Sequence, residues 1–108
     1  MNSYKQIEEK TLHAVKEYVQ DTGYQYVQGI GDFSQDEMEH ILRIGTEIMI
    51  NYWGYGKYQP GSFVQSILDN DLEGSFGRAD HINQRAIKLY VMMMVNLRSP
   101  FKNSFYIQ

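Results

Sequence analysis

Ser34-Gln35-Asp36-Glu37-Met38-Glu39-His40-Ile41-Leu42-Arg43-Ile44-Gly45-Thr46-Glu47-Ile48-Met49-Ile50-Asn51-Tyr52 decides the fold class. Ser34 and Glu37 have the spacing of a capping box, in which a hydroxyl and a carboxylate each satisfy an orphan amide at a helix start. Behind them Met38, Ile41, Leu42, Gly45, Ile48, Met49 and Tyr52 recur at steps of three and four and fall on one helix face. Gly54 and Gly56 end the pattern. The chain is therefore expected to be mainly α.

Toward the N-terminus, Ile7, Leu12, Val15, Tyr18 and Val19 predict a helix from Ser3 to about Gln20, closed by Gly23. Tyr24 to Phe33 mixes aromatics and glycines without a period and reads as an ordered loop, a short hairpin being the alternative. Toward the C-terminus, Trp53 to Gln59 is a second aromatic, glycine-rich loop. Pro60 fits the first turn of a third helix that buries Phe63, Ile67 and Leu68. Asp69-Asn70-Asp71 breaks or caps it. Asn70 and Glu73 have cap spacing for a short helix from Asp71 toward Arg78, and Asp80 opens a last helix reaching about Leu97, before Pro100. The expectation is one compact domain over residues 1–108, four or five helices joined by aromatic, Gly-rich loops.

The last helix carries two apolar stripes, one of Ile82, Ala86, Leu89, Tyr90, Met93 and Leu97, the other of Ile87, Val91 and Met94. A helix apolar nearly all round needs cover nearly all round. A homo-oligomer supplies that cover, and so does a central position in a monomer.

Composition narrows the class. Hydrophobic residues at 43% and charged residues at 21% are globular values, which excludes wholesale disorder. The absence of cysteine excludes a disulfide scaffold, a cysteine nucleophile and thiolate zinc sites. Met1-Asn2-Ser3-Tyr4-Lys5-Gln6 is polar, and the longest apolar run, Leu89 to Val95, is far too short to cross a bilayer, so the expected location is the cytoplasm with no membrane partner. A net charge of -3 argues against binding long nucleic acid. That charge is uneven: residues 1–77 carry five Lys/Arg against twelve Asp/Glu, while residues 78–108 carry Arg78, Arg85, Lys88, Arg98 and Lys102 against Asp80 alone. The two halves can attract each other within a fold or between subunits, and the basic end can receive a small anion.

Catalytic motifs are missing. There is no phosphate-binding loop motif, no nucleophile elbow and no His-Glu-x-x-His. Gly29-Ile30-Gly31 and Gly54-Tyr55-Gly56 lack the third glycine of a dinucleotide fingerprint. Glu37 and His40 share the Glu-x-x-His spacing of di-iron bundles, but that site needs a second copy and two more carboxylates. His13 and His81 stand alone and read as surface residues. A triad built on Ser62 or Ser66 has no positional support. No catalytic residue, metal or cofactor is expected.

Aromatic and backbone chemistry give the stronger signal. Eight of the fifteen aromatics lie between Tyr24 and Phe63: Tyr24, Tyr26, Phe33, Tyr52, Trp53, Tyr55, Tyr58 and Phe63. Rings on loops offer faces for a nucleobase, worth about 1–3 kcal/mol per base. A helix starting at Pro60-Gly61-Ser62 presents amides suited to phosphate. Arg78 and Arg85 can fork onto phosphate or a purine edge, and Asn70, Asp71, Asp80 and Asn83 supply short donors and acceptors. The same residues also read as core rings and helix caps, and composition alone favours that structural reading.

Pro60-Gly61-Ser62-Phe63, then Leu68-x-Asn70-Asp71-Leu72, then Arg78-Ala79-Asp80-x-x-Asn83, resembles in order and spacing the shared core of a large family of small phage proteins. The match covers residues 60–83, about a quarter of the chain, and residues 1–50 take no support from it. Most members of that family have no assigned activity. The chain also resembles the fourth described class of phage anti-CBASS sponges, which assemble as tetramers and sequester cyclic dinucleotides such as 3′,3′-cyclic GMP-AMP without cleaving them. That resemblance implies a cytoplasmic homo-oligomer in the infected host. A ligand site is then expected among Tyr52, Trp53, Tyr55, Tyr58, Pro60, Gly61, Ser62, Phe63, Asn70, Asp71, Arg78, Asp80, Asn83 and Arg85. Within it Arg78 would meet phosphate or a guanine edge, Ser62 phosphate, Asn70 and Asn83 polar edges, and Trp53 or a loop tyrosine a base face. Asp80 would cap the last helix or orient Arg78. A structural alternative stays open: caps and an internal Arg78–Asp71 or Arg78–Asp80 pair that hold the helices. So does another function, a phage inhibitor of a host protein that works through its aromatic surface and takes no small ligand.

Overall fold

Helix formation begins at two capping boxes in the computed structural model, which describes residues 3–98. The Ser3 hydroxyl accepts from the Gln6 amide and the Gln6 side chain accepts from the Ser3 amide, opening α1 (Tyr4–Tyr26). Ser34 and Glu37 open α2 (Gln35–Tyr52) in the same way, at 3.1 and 2.8 Å. Then come α3 (Ser62–Leu68), α4 (Leu72–Arg78) and α5 (His81–Asn96). A 3-10 turn, Ile30–Asp32, joins α1 to α2. No strand occurs among the described residues, so the protein is mainly α and the hairpin alternative falls.

The long helices make the core. Val15 and Val19 of α1, Ile41, Ile48 and Met49 of α2, and Leu89, Tyr90 and Met93 of α5 are buried together. Gly45 lets them approach: a Cβ there would stand 3.2 Å from Val15 and 3.4 Å from Met93. α1 packs against α2 and α5, α2 also against α3, and α3 against α4. The radius of gyration, 13.3 Å, matches the ~13 Å of a compact chain of this length, so the elements form one body.

Three boundaries differ from the sequence reading. Gly23 does not end α1. It is buried, and its missing side chain leaves room for Ile30, which would stand 2.9 Å from a Cβ there, to fold back on the helix. Helix continues to Tyr26 and stops where Val27 turns extended, so Tyr24 to Phe33 is only partly loop. Pro60 is not in the first turn of α3. Gly61 is the N-cap, and its carbonyl accepts the first helical bond, from Gln65. Asn70 does not cap α4: it sits left-handed at φ 59, a conformation short polar residues tolerate, and it lies one residue before the N-cap. Asp71 does the capping, accepting from the Gly74 amide at 2.9 Å.

Asp80 caps α5 as expected, accepting from the Asn83 amide at 2.7 Å. One chain covers most of that helix. Ile87 and Met94 are buried beside Ala86, Leu89, Tyr90 and Met93, which leaves only Val91 and Val95 exposed among its large hydrophobics. The demand for outside cover shrinks to that pair. Pro100 as a helix stop, the Lys102 charge and Met1-Asn2 lie outside the described residues. No described helix is long and apolar enough to cross a membrane.

Candidate functional site

Residues 60–83 build the α3–α4 pair and the start of α5, and much of their chemistry turns inward. Phe63 is buried and meets the Tyr90 ring edge-on, centroids 6.0 Å apart. Asn83 is 4% exposed, and its side-chain carbonyl accepts from the Tyr90 hydroxyl at 2.7 Å. Burial, reinforced by the nearby Asp80 charge, pushes the Tyr90 phenol well above its ordinary range. The Ser75 hydroxyl reaches both Ser66 Oγ and the Asp71 carbonyl, tying α4 to α3. Phe63 and Asn83 are thus committed to holding helices together.

Asp80 serves two neighbours. Besides capping α5, it accepts from His40 Nε2 at 2.9 Å. Arg43 Nη2 lies 2.7 Å from the other ring nitrogen of His40. A guanidinium only donates, so Nδ1 must accept and Nε2 must carry the proton toward Asp80. Both ring nitrogens of His40 are thus engaged, and the side chain bolts α2 to the start of α5. Glu37, its partner in the Glu-x-x-His spacing, belongs to the α2 cap. Among the described residues no group of three or more His, Asp or Glu is placed to hold a metal.

Asn70, Asp71 and Arg78 form an outward-facing corner. All three are exposed. Arg78 Nη1 stands 3.5 Å from Asp71 Oδ2, with the two side chains 48% and 49% exposed. Of the two pairings considered for Arg78, the Asp71 one forms, and Asp80 takes His40 instead. The distance exceeds the ~2.7–2.9 Å of a tight charge-assisted bond, so the pair is loose and costs little to break. Gly74 lies beneath it: a Cβ there would fall on the Asp71 carboxylate and the Arg78 guanidinium as they stand, both of them ends of half-exposed side chains that can move aside. Asp69, Asp71, Glu73 and Asp80 surround this corner in the chain. The corner suits a base edge that both donates and accepts better than a bare phosphate.

The other candidates are spread out. Ser62 and Gly61 are exposed, but they lie at the far end of α3 from Asn70, about 10 Å along the helix. Pro60 is half-buried beside them. The Trp53 indole donates to the Leu97 carbonyl at 2.6 Å and packs against the core, so it anchors the end of α5. Tyr52 ends α2 exposed, and Tyr55 is half-buried. Tyr58 is 71% exposed and edge-on to Tyr4 at 6.2 Å, with Lys57 over both rings. Arg85 stacks on Phe33, 4.3 Å from its centroid, and donates to the Gln28 carbonyl at 2.8 Å, so it pins the α1–α2 connection.

A groove of about 700 Å³ lies elsewhere, along the seam of α1 and α2. Leu12, Leu42 and Ile50 make its apolar part, Tyr4 and Tyr58 line one end, and no residue of α3, α4 or α5 takes part. Of the fourteen residues expected at a ligand site only Tyr58 reaches it. Sequence reasoning found neither this groove nor the His40–Asp80 and Asn83–Tyr90 links. The groove had one visible signal: Tyr4, Glu8, Leu12 and Lys16 follow each other at four-residue steps.

Comparison with known proteins returned no match to a family model, to a curated protein or to a solved structure.

Proposed function

We propose that this protein is a phage anti-defence sponge: a cytoplasmic homo-oligomer in the host bacterium that binds a cyclic dinucleotide immune signal, of the 3′,3′-cyclic GMP-AMP kind, without cleaving it. The observation that carries the reading is the Asn70–Asp71–Arg78 corner, where the motif of residues 60–83 puts a loosely paired arginine beside a carboxylate and an amide in solvent. Guanine offers acceptors that fit a guanidinium fork and amino donors that fit a carboxylate. The remaining motif residues hold that corner: Asp71 caps α4, Asp80 caps α5, and Asn83 and Phe63 lock onto Tyr90. One corner grips one base of a two-base ligand, which is why the reading includes a second copy.

A thermal-shift screen against cyclic di- and trinucleotides, with linear nucleotides as controls, tests this. Specific ligand at 100 times its Kd stabilises the fold by about 2.7 kcal/mol, and linear nucleotides should not. No shift with any cyclic nucleotide, or ligand recovered hydrolysed, contradicts the reading.

A second reading, a phage inhibitor of a host protein with no small ligand, is favoured by one observation. Tyr24 and Tyr58 stand 69% and 71% exposed on separate elements rather than around Arg78. It expects a stable complex in a pull-down from host lysate that survives Arg78→Ala and is lost when Tyr24 and Tyr58 become serine.

A further inference from the structure

The α1–α2 groove is acidic as well as apolar. Glu8, Glu9, Glu39 and Glu47 line it against Lys16 and Arg43, and the Arg43 side chain already contacts His40. Its mouth includes Leu12, a leucine 41% exposed on an otherwise polar stretch of helix. Among the described residues these two helices therefore leave an open seam whose chemistry asks for a helix that is apolar along one line and basic beside it.

The chain carries such a helix on its own surface. On α5, His81, Gln84, Lys88, Val91 and Val95 are all exposed and follow at steps of three, four, three and four, one straight solvent-facing line. Val91 and Val95 are 37% and 42% exposed. Lys88 precedes them by one turn, and exposed Arg98 follows just past the helix end. Stripe and groove also match in length: His81 to Val95 spans about 21 Å of helix, and Tyr4 to Lys16 about 18 Å. Because groove and stripe lie on different elements of one chain, their union joins different surfaces of two copies.

We propose that the α5 stripe of one copy docks in the α1–α2 groove of the next. Val91 and Val95 cover Leu12 and Leu42, and Lys88 and Arg98 meet the groove carboxylates. Made once per copy, such a contact is heterologous and closes into a ring or runs on as a filament; made reciprocally across a two-fold axis, it closes as a dimer. The proposal rests on the homo-oligomer part of the sponge reading and not on its ligand.

Sedimentation velocity tests it, using two variants altered only at exposed or groove positions: a stripe variant, Lys88→Glu with Val95→Glu, and a groove variant, Glu8→Lys with Glu39→Lys. Circular dichroism must first show wild-type helicity for both. The wild type should assemble, and do so roughly tenfold more weakly at 0.5 M than at 0.05 M salt. Each variant alone should be monomeric. Mixed one to one, they should form a dimer that grows no further, since one intact groove and one intact stripe remain. A monomeric wild type at a few hundred micromolar overturns the proposal, as does assembly undiminished in either variant, or a mixture that stays monomeric. Calorimetric titration of cyclic dinucleotide into the same samples separates the two ideas. Assembly without ligand binding sinks the sponge and leaves this interface, whereas ligand binding by a monomeric wild type sinks this interface and the homo-oligomer part of the sponge reading and leaves its ligand.

Discussion

Tyr90→Phe removes one oxygen from the centre of the protein and reports whether Asn83 belongs to the core or to a ligand. Tyr90 is fully buried, and its hydroxyl donates at 2.7 Å to a side chain that is 4% exposed. The variant keeps the ring against Phe63 and leaves the buried Asn83 carbonyl without its donor. A lost neutral hydrogen bond costs about 1 kcal/mol, and an acceptor left buried and unpaired raises that to about 2 kcal/mol. For a domain of this size the melting temperature should fall by roughly 8 °C. Urea unfolding followed by circular dichroism at pH 7 gives the free energy. Tyr90→Phe combined with Asn83→Leu removes both polar groups and should recover more than half of the loss. pH supplies a second signature. The folded phenol is raised above 10.0 by burial and by Asp80, so above about pH 10 the unfolded chain sheds a proton that the folded chain keeps. Stability from this group is therefore complete below pH 10 and falls as pH rises further, and the gap between wild type and Tyr90→Phe should narrow there. A single variant within about 0.5 kcal/mol of wild type would refute the reasoning and return Asn83 to the ligand candidates.

Three further substitutions have expected outcomes. Arg78→Ala should change unfolding free energy by less than about 1 kcal/mol, because its ion pair is half exposed and long. It should weaken cyclic dinucleotide binding roughly 10- to 150-fold in a titration, the loss of a charge-assisted contact of about 1.5–3 kcal/mol. Gly45→Leu forces a side chain between Val15 and Met93 and should cost about 3 kcal/mol in urea unfolding, by overpacking. Ser34→Ala deletes half of the α2 capping box and should cost about 1 kcal/mol, read as a melting temperature lower by roughly 4 °C.

The helices were legible where local rules act alone. The Ser34–Glu37 box and the apolar face behind it set α2, and Asp80 announced α5, because caps and periodicity are decided within a few residues. Gly23 misled because glycine has two uses. It ends helices by turning left-handed, and it also thins them where another segment packs, and only the tertiary contact with Ile30 distinguishes the two. Asn70 misled by a single position, since it lies one residue before the N-cap, Asp71.

The candidate site was legible as a set of residues and not as an arrangement. The motif put Asn70, Asp71 and Arg78 on one corner, while Phe63 and Asn83, from the same motif, turned to Tyr90. Nothing local marks which of two similar polar residues faces inward. Trp53 and Arg85 looked like free ring and free cation in sequence, yet each reaches a backbone carbonyl more than forty positions away. The charge asymmetry between the two parts of the chain was visible from the start, and the structure gives it two surfaces, an acidic seam on α1 and α2 and a line on α5 that carries Lys88.

Isothermal titration of wild-type protein with 3′,3′-cyclic GMP-AMP, followed by denaturation and chromatography of the ligand, tests the central claim most directly. The account predicts saturable binding in the nanomolar-to-micromolar range, carried through Arg78, with every nucleotide recovered uncleaved. No binding of this or any other cyclic dinucleotide at hundreds of micromolar, or recovery of linear products, would contradict it.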